Sequence, residues 1–386
     1  MLPPHPFRVF PNPRVGAPGL TVLPSAGFRR AKGEITSWPG YAPTPLRDLP
    51  DLARSAGLAA IRLKDEAARF GLCSFKALGG AYAVAMLLLD ELSRTGAAPD
   101  ATTATLAAGT HRAATQRVTV TCATDGNHGR AVAWGAQRFH ARCVIFIHAG
   151  VSQARAEAIA QYGAEIRRVP GTYDDAVREA ARQAETHHWH VVSDTSWPGY
   201  TEIPRQIMQG YRVMADEAAD QWSGNAPTHV FIQGGVGGVA AAVSVHMRGR
   251  FDPAPALIVV EPDRAACLLA SAELGEPTAI PGDLDTLMAG LACGEPSLLA
   301  WQELDRAAAA FMAIPDEAAV ETMRLLATHH IESGESGAAG LAGLLLAAGD
   351  PAARATLGLT DASRVLAFST EGATDAALYA SLTRQS

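Results

Sequence analysis

Through the middle of the chain, short runs of apolar, largely β-branched residues alternate with longer stretches of helical composition. Positions 118–123, 143–148, 165–169 and 190–193 predict strands, and positions 129–140, 153–162 and 173–187 predict the helices between them. A helix over 202–219 leads into a second series, with strands at 229–233, 256–261 and 365–369 and helices near 239–247, 315–330 and 336–348. Breaker-rich segments at 223–227 and 275–281 punctuate this half. Such alternation with short connections predicts an α/β fold: parallel sheets covered by helices, with ligand sites at the carboxyl ends of the strands.

Composition narrows the classes of partner. At about 150 residues per domain, a chain of 386 residues suits two domains or one two-lobed unit. Hydrophobic residues make up 48% and charged residues 18%, and no uncharged apolar run reaches the roughly 18 residues of a membrane-spanning helix. The formal charge of -7, from 32 basic and 39 acidic side chains, offers no basic field for phosphate-backbone binding, so neither membrane nor nucleic acid is an expected partner. The first 30 residues are Pro-rich and carry Arg8 and Arg14, but they lack the continuous apolar core of a secretory signal; a cytoplasmic location is expected. Five cysteines are too sparse for a disulfide framework, and free buried thiols are the expectation. One pairing is left open, between Cys267 and Cys293, which bracket a Pro/Gly-rich excursion. His187, His188 and His190 have no matching carboxylate or cysteine spacing, so no catalytic metal is expected.

Three loops carry candidate chemistry. Gln233-Gly-Gly-Val-Gly-Gly-Val-Ala240 joins an apolar strand to an Ala/Val helix, and its glycines let backbone amides approach an anion without a cationic side chain. The same letters satisfy a dinucleotide fingerprint, with Gly235, Gly237 and Ala240 in G-x-G-x-x-A and Glu261 placed for a ribose; spacing alone does not choose between them, nor from a merely tight turn. Lys76, in Ser74-Phe-Lys-Ala-Leu-Gly-Gly-Ala81, opens a small, apolar helix, where burial would disfavour its ammonium and suit an amine nucleophile; the alternative is a snorkelling surface lysine. Thr124-Asp-Gly-Asn-His-Gly129 makes a second anion-receptive helix start, suited to a substrate carboxylate. Asp125 beside such a site either neutralises a cation, moves a proton, or simply caps the helix.

Together these segments resemble pyridoxal-phosphate enzymes of the tryptophan synthase β-subunit fold, and more closely the diaminopropionate ammonia-lyases. The resemblance runs from about Leu63 to Asp375 through Arg69-Phe-Gly-Leu-Cys-Ser-Phe-Lys76, Thr124-Asp-Gly-Asn-His-Gly129, Gly234-Gly-Val-Gly-Gly238 and Ser369-Thr-Glu-Gly372. The segments beginning Asp194-Thr-Ser-Trp-Pro-Gly-Tyr and Thr286-Leu-Met-Ala-Gly-Leu also look characteristic of these lyases. The resemblance implies a two-domain, fold type II α/β enzyme with a parallel or mixed twisted sheet in each domain. Residues 1–84 and 215–386 would form the large cofactor-binding domain and 85–214 the small, mobile substrate-binding domain, in a homodimer.

The resemblance further implies that Lys76 holds pyridoxal 5'-phosphate as a Schiff base beside Phe75, that Asn127 faces its 3-hydroxyl, and that the backbone of Gly234, Gly235, Val236, Gly237 and Gly238 holds its phosphate. Thr370 would approach the pyridine nitrogen, with Ser369 the substitute if the register slips. A neutral hydroxyl there, unlike an aspartate, leaves the ring unprotonated and favours elimination over transamination. Ser74, Thr124, Asp125, Gly126, His128 and Asp194 would bind an amino-acid substrate, with Lys76, Asp125 and Asp194 catalytic. Lys76 would be the base on one face, Asp125 on the other, and Asp194 would orient the β-ammonium of 2,3-diaminopropionate or protonate the leaving amine, giving pyruvate and ammonia. Two departures from the family pattern are visible: Cys73-Ser74 stands where Asn-Ala is expected, and Ala373 where a polar residue is common. The rival readings are threonine or serine dehydratase, an NAD-dependent dehydrogenase built on Gly235 to Ala240 and Glu261, and a non-catalytic amino-acid sensor.

Overall fold

The computed structural model describes residues 2–16, 20–124, 126–171 and 173–384. Eleven strands form two sheets among these residues: β1 (Arg8–Pro11), β2 (Leu46–Asp48), β3 (Ala60–Asp65), β4 (Thr119–Ala123), β5 (Arg142–His148), β6 (Glu165–Val169), β7 (His190–Val191), β8 (His229–Gln233), β9 (Ala256–Pro262), β10 (Ala308–Ile314) and β11 (Arg364–Ser369). The larger sheet has the order β1-β10-β9-β8-β11-β3-β2, parallel except at its two edges, and the smaller, β6-β5-β4-β7, is parallel throughout. The central strands β8 and β9 are apolar on both faces and buried, as a sheet covered by helices on two sides requires. The edges are short and blunt: β1 ends in Pro11, and β2 exposes Arg47 and Asp48.

The elements expected at 118–123, 143–148, 165–169, 229–233, 256–261 and 365–369 are present as β4, β5, β6, β8, β9 and β11. Four large-sheet strands were not expected, β1, β2, β3 and β10, and the two longest of them were hidden for different reasons. β10 reads Ala-Ala-Ala-Phe-Met-Ala-Ile, with little β-branching, and is extended because it pairs on both sides, with β9 and β1. β3 carries two cations, yet the side chain of Lys64 is fully buried. Its ammonium donates to Glu217 Oε2 at 2.7 Å and to Thr44 O at 2.6 Å. Arg69 joins the same cluster, at 2.8 Å from Glu66 and 2.7 Å from Glu217. Removing one partner of such a buried set costs about 3–5 kcal/mol, so the cluster pins the segment leading from β3 to Lys76.

The Lys76–Arg94 helix is buried along most of its length and packs on the Asn127–Arg138 and Glu202–Gln221 helices. Close approach depends on glycine: a methyl at Gly80 would lie 2.9 Å from Ala131 Cβ, and one at Gly79 would lie 2.7 Å from Ile207 Cγ2. The smaller sheet draws only on residues between β4 and β7, and the Lys76–Arg94 and Glu202–Gln221 helices flank that stretch in the chain. Among the described residues no helix is long and apolar enough to cross a membrane, and no group of three or more His, Cys, Asp or Glu is placed to hold a metal ion. Cys122, Cys143 and Cys267 are buried, but Cys73 and Cys293 are only half-buried, so the expectation of buried thiols fails for those two; no disulfide joins Cys267 to Cys293.

Candidate active site

A cavity of about 520 Å³ opens where the carboxyl ends of β4, β8 and β11 converge, and residues of the loops that follow those strands line it: Thr124, Gly126, Asn127 and His128, then Gly234 to Val236 with Gly238, and Thr370. This is the place that open parallel sheets reserve for ligands. Lys76 enters it from the first residue of its helix. The approach is set by the neighbouring loop, because Phe75 N donates to Thr370 O at 3.0 Å and Ser74 forms an antiparallel bridge with Glu371. Ser74 Oγ accepts from the Lys76 amide at 3.3 Å. The chain has three lysines; Lys64 is locked in the buried cluster, Lys32 pairs with Asp216 at 2.5 Å, and Lys76 is the one that lines the cavity.

Lys76 Nζ donates to Asp194 Oδ2 at 2.5 Å, both side chains being about one-fifth exposed (19% each). The same ammonium lies 5.3 Å from the Phe75 ring centroid and 5.7 Å from that of Tyr211. Burial works against the Lys76 ammonium, but the Asp194 carboxylate outweighs it and holds the amine well above its usual range. This corrects the expectation of an ammonium disfavoured by burial at a helix start: the ion pair wins. Burial likewise opposes the Asp194 carboxylate, yet His128 and Lys76 hold it well below the usual range. Its backbone is fixed on both sides. Tyr200 OH accepts from Ser193 N at 2.9 Å and donates to Val191 O at 2.9 Å, its ring stacking on Trp197 at 4.2 Å, while Ser196 N donates to Ser297 Oγ at 3.0 Å.

His128 Nε2 donates to Val192 O at 2.7 Å, which leaves Nδ1 3.8 Å from Asp194 Oδ2; burial pushes the imidazole pKa down. Thr124 Oγ1 accepts from the amides of Gly126 and Gly129, each at 3.1 Å, so its own hydrogen is available to a ligand. Asn127 begins its helix, donates to Glu371 Oε2 and accepts from Arg130 Nη2 at 3.0 Å. Asp125 lies outside the described residues.

The glycine loop is shaped for an anion. Gly235 and Gly237 adopt φ of +59° and +95°, a region where a side chain would be strained. The first amides of the Gly238–Arg250 helix have no intrahelical acceptor, and they meet the positive end of its dipole. Glu261 packs against Gly234, but its carboxylate is not free to serve as a ribose ligand. It is fully buried and accepts from the amides of Leu268 and Leu269, both at 2.8 Å, and burial pushes its pKa up to about 8. The dinucleotide reading thereby loses its acidic residue, and the dehydrogenase alternative falls with it. Thr370 lines the cavity, whereas Ser369 turns away and donates to Ser333 Oγ at 2.8 Å.

Several cavity residues were not singled out from the sequence. Glu371 sits within the quoted Ser-Thr-Glu-Gly run and Gln233 opens the glycine loop, so both were adjacent to a signal. Tyr211 ends the run from Asp194 that looks characteristic of these lyases, so it too was adjacent to a signal, but Arg130 and the Arg155 to Glu335 pair at 2.8 Å carry none, because contacts between segments so far apart leave no local pattern.

A family model described as pyridoxal-phosphate dependent enzyme matches residues 37–361. The chain is 42% identical over 351 residues to a diaminopropionate ammonia-lyase of Escherichia coli strain K12, covering 88% of this chain and 87% of that protein. It also superposes on solved structures of the Escherichia coli enzyme at 37% identity, covering 98% of this chain and 97% of those chains. The TM-score is 0.89 for the complex with D-serine and 0.87 for the complex with an aminoacrylate-PLP azomethine reaction intermediate.

Proposed function

The chain belongs to the pyridoxal-phosphate dependent enzymes and, among them, to the diaminopropionate ammonia-lyase family, and from that membership we propose how its own residues do the work. The enzyme is a carbon-nitrogen lyase that eliminates the β-amine of 2,3-diaminopropionate and yields pyruvate and ammonia. The observation that carries the reading is the Lys76 to Asp194 pair at 2.5 Å inside a cavity that also holds the glycine cradle and the Thr370 hydroxyl.

These residues fit pyridoxal phosphate: one lysine amine in the cavity, unpaired helix amides for a phosphate, and a hydroxyl on the wall. Lys76 would hold the group beside Phe75. The backbone of Gly234, Gly235, Val236, Gly237 and Gly238 would hold its phosphate, Asn127 would face its 3-hydroxyl, and Thr370 its ring nitrogen. When bound, the cofactor supplies acidity at the substrate Cα by drawing off the electron pair left there. Every other part is played by the chain. The Thr124 hydroxyl and the amides opening the Asn127–Arg138 helix bind the substrate carboxylate, with Gly126 and His128 lining that end, whereas Ser74 does not line the cavity and is buried with its Oγ accepting from the Lys76 amide. The amine of Lys76, freed when substrate takes its place, removes the Cα proton on one face.

Asp194 holds the β-ammonium of the substrate where it now holds the ammonium of Lys76. Its depressed pKa supports the role of a charged anchor over that of a proton donor. Asp125 serves as base on the opposite face, and the D-serine complex of the Escherichia coli enzyme supports a site open to D-amino acids. Residues 85–214, which contain the whole smaller sheet, form a mobile domain closing on 1–84 and 215–386. A cytoplasmic homodimer completes the proposal, supported by the family resemblance and by a cysteine content too low for a secreted disulfide framework.

The test is turnover of D- and L-2,3-diaminopropionate beside serine and threonine, with pyruvate and ammonia both quantified. Two ammonia per pyruvate from the diamino acid is expected. Faster turnover of the hydroxy amino acids would move the protein to the dehydratases.

A further inference from the structure

Gln233 closes β8 and is 1% exposed. Its side-chain nitrogen lies among four oxygens: Gly337 O at 2.9 Å, Ser336 O at 3.2 Å, Phe368 O at 3.2 Å and Thr370 Oγ1 at 2.7 Å. An amide nitrogen donates and does not accept, and its two hydrogens are shared among these oxygens, with Thr370 Oγ1, at the shortest distance, an acceptor. Turning the amide over would set its oxygen against three carbonyl oxygens, which fixes the orientation. The Gln233 Oε1 atom is buried and has no hydrogen-bond partner, so it takes no proton from Thr370.

The consequence falls on the threonine. Thr370 Oγ1 accepts from Gln233, and its own hydrogen has no acceptor among the described residues; the side chain is 3% exposed and lines the cavity. A hydroxyl left to rotate could either donate or accept. After accepting from Gln233 the oxygen keeps a second lone pair, but its hydrogen, buried and without an acceptor among the described residues, is left unsatisfied unless a ligand atom in the cavity brings a lone pair to it.

We infer that Gln233 is a positioning residue that commits the Thr370 hydroxyl to donate into the cavity, so that the site receives an unprotonated aromatic ring nitrogen. This rests on the reading that Thr370 faces the cofactor ring. It goes beyond that reading by naming the group that sets the direction of the hydrogen bond, and so the charge state of the ring. Gln233 is not a catalytic residue, since it reaches the ligand only through Thr370.

The test uses the holoenzyme reconstituted with pyridoxal phosphate labelled with 15N at the ring nitrogen. Its 15N resonance and the cofactor Kd are measured for wild type, Gln233→Met, Thr370→Val and the double variant. The wild-type resonance is expected in the range of a hydrogen-bonded, unprotonated nitrogen. Thr370→Val should move it toward a free pyridine, Gln233→Met should move it the same way and loosen cofactor binding about three- to tenfold, and Gln233→Met should add nothing in the Thr370→Val background. A protonated ring nitrogen in the wild type, which requires no variant to fold, would overturn the inference. A resonance moved by Thr370→Val but not by Gln233→Met would overturn it while leaving the reading of Thr370 intact. A resonance unmoved by Thr370→Val would overturn both.

Discussion

Lys76 Nζ and Asp194 Oδ2 lie 2.5 Å apart, although one opens a helix and the other follows the last strand of the smaller sheet. The pair places a negative charge where the amine to be expelled from the substrate must sit. It also explains why the lysine keeps its proton before a cofactor is bound.

Asp194→Asn keeps the shape and removes the charge. The kcat/KM for 2,3-diaminopropionate should fall about 30- to 5,000-fold, the cost of losing one partner of a buried charge pair, with the larger part in KM. Steady-state kinetics that left KM unchanged would assign it a purely chemical role.

Asp125→Asn should lower activity toward one enantiomer about 10²- to 10⁴-fold and spare the other, since two bases on two faces divide the enantiomers between them. Assays with separated D- and L-substrates decide this. Equal losses on both would reassign Asp125 to substrate binding.

Among the strands legible in advance, β8, β9 and β11 are largely apolar on both faces, so burial can be read from composition, whereas the charged, half-exposed β6 was legible from its place in the strand-helix alternation. β3 was hidden because Lys64 is buried by Glu217, a partner more than 150 positions away, and β10 because alanine carries no strand preference of its own. The site followed the same rule. Loops that approach a ligand through backbone, such as Gly234 to Gly238, announce themselves by glycine, whereas the Arg155 to Glu335 pair and the turn of Thr370 by Gln233 exist only once distant segments meet.

Glu335 gives a pH signature. Burial, with Glu371 nearby, raises its pKa to about 7 despite Arg155 at 2.8 Å. A carboxyl raised on folding contributes stability that is present in full below about pH 4.3, the unfolded-chain value, and is lost as pH rises through about 7. Denaturant titrations between pH 5 and 8 should show this decline, and Glu335→Gln should make it shallower, leaving the part that Glu261, raised to about 8, contributes. A variant as steep as wild type would place the titration elsewhere.

Cys73 has a φ of +52°, in the left-handed region that asparagine and glycine tolerate better than other residues. Cys73→Asn restores the residue expected from the family at this position and should raise stability by about 0.5–1 kcal/mol, read from the midpoint of urea unfolding. A lower midpoint would show that the thiol packs more favourably than the turn is strained.

The most direct test asks which amine holds the cofactor. Borohydride reduction of the reconstituted enzyme makes the link permanent, and peptide mapping then has three lysines to choose from, Lys32, Lys64 and Lys76. The account predicts label on Lys76 alone, in a preparation that releases pyruvate from 2,3-diaminopropionate before reduction. Label on Lys32 or Lys64, or pyruvate release from a Lys76→Ala variant at the wild-type rate, would contradict it.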